Sequence, residues 1–175
     1  IGLSPDALVA PATSARLDLP CGNYYFTSIN ANHTLTIVAH GHTAIYVAGS
    51  IVGSQNLQFD LDPSSTLDIF VGGVMKSSAN IAVGSPAYPR LSRMYFGSAS
   101  CKGSGSCTSN ADCCTGVCSG GTCQGTGGNL SNAVDLSSTS SLNGLFWAGY
   151  GKVSTSNALT MYGSVFADTY DASGP

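Results

Sequence analysis

Apolar and polar residues alternate in short runs along this chain, and the runs recur. Leu35 and Ile37 alternate with polar neighbours in NHTLTIV, Leu57, Phe59 and Leu61 do so in NLQFDL, and Ile69 and Val71 in DIFVGG. Alternation over a few residues marks a strand buried on one side. The runs are also in phase. Asn32, Asn56 and Asn80 open theirs at equal steps, and AIYVAG at Ala44, DIFVGG at Asp68 and RMYFGS at Arg93 follow at nearly the same interval. Both markers return later as NAVDL at Asn132, GLFWAG at Gly144 and NALTMYG at Asn157. A period of about 24 residues built from short strands predicts a solenoid, each turn burying the inner face of its neighbours. The expected fold is all-β, a parallel β-helix of about five turns. The main alternative is an antiparallel sandwich, which turn signals at short intervals also fit. Stacked turns would set Asn32, Asn56, Asn80, Asn132 and Asn157 in one ladder at a bend, where Asn tolerates positive φ. Chance recurrence in an Asn- and Ser-rich chain is the bland reading of the same residues.

The phase breaks once. The aromatic runs at Ala44, Asp68 and Gly144 lead to Asn56, Asn80 and Asn157 at a nearly constant interval, but Arg93 and Asn132 are much further apart. The excess coincides with Cys101, Cys107, Cys113, Cys114, Cys118 and Cys123, which gather six of the seven cysteines into one stretch. The residues between them have almost no apolar surface, so only crosslinks could hold a shape there. This predicts a disulfide-stapled excursion from one turn, in an oxidising compartment: secreted, periplasmic or cell surface. Cys21 is left odd, as a buried thiol or a link to another chain. The expected organisation is a cap or linker over 1–20, β-helix over 21–98, the insert over 99–128, β-helix over 129–170 and a tail over 171–175. An N-terminal cap and the closing Gly174 and Pro175 would favour a monomer or lateral contacts.

Composition supports this architecture and removes several functions. There is no glutamate among 175 residues and charged residues are only 9%, so long exposed helices are not expected. A net charge of -3 gives no footprint for nucleic acid. No apolar run approaches the roughly 18 residues that span a bilayer. The chain starts at Ile1 without a basic-then-apolar leader, which reads as a processed chain or an excised fragment.

Candidate chemistry is sparse. Asp60 and Asp62 share a strand face, with Asp68 a short turn away, and such carboxylates serve polysaccharide-active β-helices as acid, base or Ca²⁺ ligands. A solvated acidic face beside Pro63 is the competing reading. His40 and His42 could pair on a metal, with His33 the remaining histidine, but no third ligand is evident and Gly41 suggests a turn. Zinc in the cysteine segment is disfavoured by the absence of histidine there. Tyr24, Tyr25, Tyr46, Phe70, Tyr95, Phe146, Trp147 and Tyr162 recur at equivalent points and are expected as stacked core aromatics; a sugar-stacking surface is the alternative. Thr34 and Thr36 alone form no regular threonine array of the kind ice binding needs. No cofactor, metal or catalytic residue is expected.

The runs GNYYF, NHTLTIV, AIYVAGSI, DIFVGGV, RMYFGS and LNGLFWAGYGKVSTSNALTMYGSVFADTY resemble a family of uncharacterised β-helical domains in bacterial secreted, surface and pilus-associated proteins. The closing YGSVFA is the most specific part, and the resemblance covers Leu19 to Tyr170 without the cysteine segment. It implies a right-handed β-helix with a structural, adhesion or filament-associated role, and it brings no catalytic residues. Partners would then be other surface proteins, further copies of the chain, or glycans. The cysteine segment separately resembles an inhibitor cystine knot, which implies the pairs Cys101–Cys114, Cys107–Cys118 and Cys113–Cys123. A polysaccharide-binding or polysaccharide-cleaving β-helix using Asp60, Asp62 and Asp68 is the rival function.

Overall fold

A computed structural model describes residues 6–9, 12–97, 106–108, 118–123 and 132–173. They form a parallel β-helix with three faces. The first face carries β2 (Ala15–Leu19), β4 (Leu35–Ala39), β7 (Leu57–Leu61), β10 (Ile81–Val83) and the starts of β15 (Ser140–Thr155) and β16 (Leu159–Ala172). The second carries the start of β3 (Gly22–Ala31), β5 (His42–Val47), β8 (Thr66–Val71), β11 (Ser92–Phe96) and the middles of β15 and β16. The third carries β1 (Asp6–Val9), the end of β3, β6 (Ile51–Gly53), β9 (Met75–Ser77), β14 (Asn132–Leu136) and the ends of β15 and β16.

Alternation decides which side chains enter the coil. Leu35, Ile37, Ile45, Val47, Leu57, Phe59, Leu67, Ile69, Ile81 and Met94 are all buried, and they stack in rows because equivalent residues pair in register. Each turn carries one residue of each row, so no single turn has a core of its own; burial exists only between neighbours.

Turn length varies, which the constant markers conceal. On the second face the step from Tyr25 to its register partner Tyr46 is shorter than the steps from Tyr46 to Phe70 and from Phe70 to Tyr95. The step from Trp147 to Phe166 is shorter still. The coil has six turns rather than five, because Ala15–Leu19 makes a rung on β4. Of the expected cap or linker over 1–20, the described strands belong to the coil: Asp6–Val9 also pairs, in parallel, with β3. The far end is likewise a turn, with β16 reaching Ala172 and paired to β15.

The cysteine excursion leaves between the second and third faces. In the two preceding turns that corner is the short segment 48–50 or 72–74; in the fourth it is the segment from Gly97 to the start of β14. β12 (Cys118–Ser119) and β13 (Thr122–Cys123) form a small antiparallel hairpin there, and Cys107 is bonded to Cys118. A second, shorter excursion, 84–91, ends in a 3-10 turn at Pro89–Leu91 that packs against β15 and β16. Among the described residues no helix is long and apolar enough to cross a membrane.

Candidate binding face

The outer side of the second face is built by residues whose neighbours are both in the core. Ile45 and Val47 are buried around Tyr46, Ile69 and Val71 around Phe70, and Met94 and Phe96 around Tyr95. Successive side chains in a strand point to opposite faces, so each aromatic must face out. Register then places Tyr25, Tyr46, Phe70, Tyr95, Trp147 and Phe166 in a single row. The first four rings stack at centroid separations of 4.8, 4.9 and 5.0 Å, with their planes 8–11° apart. Strand spacing sets that distance: rungs lie about 4.8 Å apart, so identical rotamers bring the rings together.

This overturns the expectation of core aromatics for most of the set. Phe146 is in the core and Tyr24 packs on it, but Tyr25, Tyr46, Phe70, Tyr95, Trp147 and Tyr162 lie outside. The deciding signal was parity, since Phe70 sits between Ile69 and Val71 and cannot share their side.

The rows beside the ladder are small or neutralised. Ala48, Gly72 and Gly97 extend the strands toward the next corner, and a Cβ on Gly72 would lie 2.3 Å from the Ala48 carbonyl oxygen. Two positions before the aromatics, Arg93 donates to both carboxylate oxygens of Asp68, at 2.5 and 2.8 Å. That bidentate pair raises the Arg93 pKa and cancels the two charges locally.

A charged row runs along the corner between the first and second faces. His40 lies between two carboxylates, with Nδ1 2.5 Å from Asp62 Oδ2 and Nε2 2.9 Å from Asp18 Oδ1. Asp18 and then Asp62 raise the His40 pKa, because both ring nitrogens must donate to satisfy both acids. Arg16 and then His40 hold the Asp18 carboxyl at about 2. Asp18 had no sequence signal of its own, because its partner His40 belongs to the next turn.

The proposed acidic set is not assembled as one site. Asp60 accepts from the backbone N–H of Leu61 on the first face, Asp62 is held by His40 at the corner, and Asp68 by Arg93 on the second face. His42 bonds to Thr66 Oγ1 at 2.7 Å, so it does not join His40, and His33 is exposed on the following corner. Among the described residues no group of three metal-ligating side chains is present.

The Asn residues divide in the same way. Leu57 pairs with Ile81, so Asn56 and Asn80 are level, but Leu35 pairs with Leu57, which puts Thr34 and not Asn32 beside Asn56. Asn32 instead accepts a hydrogen bond from Ser54. Asn132 lies within β14, and Asn157 donates to the Ser137 carbonyl. The single ladder of five fails for two reasons. The turn from Leu35 to Leu57 is shorter than the one from Leu57 to Ile81, and Asn132 is on another face.

Of the six clustered cysteines, Cys107 and Cys118 bond to each other and Cys123 is also in a disulfide. Cys101, Cys113 and Cys114 lie outside the described residues. Cys21 is a free, exposed thiol at the corner beside Gly41.

Compared with protein-family models, curated proteins and solved structures, the chain matches none.

Proposed function

We propose that this chain is a non-enzymatic extracellular module: a rigid solenoid that displays a disulfide-stapled insert, for adhesion or within a filament-associated surface structure. The observation that carries the reading is where the insert leaves the coil. β11 remains paired to β8 and β15, and β14 to β9 and β15, on either side of the excursion. The scaffold is thus continuous through the point where the contact surface is attached, as loops are carried on rigid folds. The Cys107–Cys118 bond fits an oxidising compartment. The engagement of Asp62 and Asp68 by basic partners favours a structural role for those carboxylates over acid–base chemistry.

The test replaces residues 98–131 with a short corner like 72–74. The shortened chain should keep the strand spectrum of the parent but lose attachment to the surface of the producing cell, where the intact chain should be found with its insert oxidised. Recovery of the intact chain in the cytoplasm with reduced cysteines would refute the reading, as would equal attachment without the insert.

A further inference from the structure

The aromatic row changes character between turns four and five. Tyr46 and Phe70 have both ring faces taken up by neighbouring rings, while Tyr25 and Tyr95, at the ends of the stack, each have one. Trp147 is the register partner of Tyr95, yet its indole lies back over the next corner, where a Cβ on Gly149 would come within 2.9 Å of the ring. It meets Phe166 at 5.8 Å with the planes splayed by 34°. Trp147 is 44% exposed and Phe166 51%; Tyr162, which pairs with Asn143 at the corner before Gly163, is also 51% exposed. Ser164 stands two residues before Phe166 and is exposed. Among the described residues, the indole N–H of Trp147 and the hydroxyl of Tyr162 have no hydrogen-bond partner.

Three further features bear on what could lie there. Among the described side chains on the outer side of this face, the only carboxylate and guanidinium are Asp68 and Arg93, and they neutralise each other. Within the described strands of this face that pair leaves no net charge beside the aromatic row. The 3-10 turn at Pro89–Leu91 packs against β15 and β16, and Ala87, Tyr88, Pro89 and Arg90 line a recess of about 430 Å³ on that excursion. Finally, Gly149 leaves bare backbone against the indole, so the ring rests on that segment while staying 44% exposed.

We propose that Trp147 and Phe166 form a platform for an uncharged glycan chain. This rests on the reading of the chain as a non-enzymatic surface module. A pyranose ring presents a flat face of C–H groups rimmed by hydroxyls. It needs an apolar plane under the face and unpaired donors or acceptors at its rim, without a charge that would demand a counterion. The exposed indole and phenyl supply the plane, and the Trp147 N–H and Ser164 supply the rim.

Affinity electrophoresis of the oxidised full chain tests this against neutral polymers (xylan, a soluble β-1,3-glucan, hydroxyethyl cellulose) and anionic ones (alginate, polygalacturonate). At least one neutral polymer should retard the chain, unchanged by added salt, and the anionic ones should not. Trp147→Ala and Phe166→Ala should weaken retention by about tenfold or more, and Tyr46→Ala, which removes a ring from the stacked part, by less than about threefold. Circular dichroism of each variant shows that it is folded. No retention on any neutral polymer, or retention untouched by Trp147→Ala, overturns the proposal. So does concentration-dependent dimerisation that Trp147→Ala abolishes, since the occupant would then be a second copy. The two readings fail separately. Reducing ends released from a retained polymer would refute the non-enzymatic module and leave the platform. Surface attachment through the insert without glycan retention would refute the platform and leave the module.

Discussion

Phe70 is the place to ask whether the aromatic ladder stabilises the coil or merely follows from it. It stacks on Tyr46 at 4.9 Å and on Tyr95 at 5.0 Å, so it has a near-parallel ring on either side. Phe70→Leu keeps an apolar side chain on the outer face and removes both contacts. At about 0.5–1.5 kcal/mol for each aromatic pair, the loss is about 1–3 kcal/mol. For a chain of this length that lowers the melting temperature by roughly 2–12 °C. The cleaner number is the Tyr46–Phe70 coupling, from urea unfolding of the parent, Tyr46→Leu, Phe70→Leu and the double variant. It should fall at about 0.5–1.5 kcal/mol. Tyr162→Leu, whose ring is in no stack, should stay within about 0.5 kcal/mol of the parent. A Tyr46–Phe70 coupling below about 0.3 kcal/mol would refute the argument, and would mean that strand register alone aligns the rings.

Stability should also depend on His40 with a defined sign. Its folded pKa is raised, so its contribution is complete below the ordinary value near 6.5 and is lost as pH rises through the higher folded value. Asp18, held at about 2, contributes above its ordinary 3.8 and loses this as pH falls toward 2. Denaturant midpoints should therefore decline in the parent as pH rises above about 6.5, and His40→Gln should remove that decline; an identical slope in both would exclude the clamp. Gly84→Ala should cost about 2–3 kcal/mol or more, because φ there is +70° and the new Cβ would lie 2.3 Å from the Asn143 carbonyl oxygen. A thermal melt within about 2 °C of the parent would show that the corner can relax.

What could be read from the sequence depended on which regularity carried the information. Alternation at Leu57, Phe59 and Leu61 or at Ile69 and Val71 specified both strands and inward sides, because burial on one face imposes a period of two. The same parity placed Phe70 and Tyr95 outside, although the recurrence of aromatics had suggested a core. The markers implied one constant period, which holds for the turns around β7 and β8 and not for the shorter turns at either end. A small change in the length of a corner leaves the strands paired and moves only the bend residues, so Asn32 fell out of line while Leu35 did not. Ala15–Leu19 escaped notice since a rung needs only Leu17 and Leu19 facing in, without an Asn or an aromatic. The Asp18–His40–Asp62 row joins residues from three turns, and its members carry no local pattern.

The corner between the second and third faces has a consequence for how such a protein can change. The chain leaves Phe96 and re-enters at Asn132 across the gap that 72–74 alone bridges in the turn before. Lengthening that bridge roughly twelvefold raises the closure entropy only as the logarithm, by about 2 kcal/mol, and crosslinks inside the loop reduce it further. None of the rungs has to move. Each corner of the coil is thus a position where new sequence can be acquired, exchanged or discarded nearly independently of folding, and a lineage of such chains could diversify what its corners display while keeping every strand.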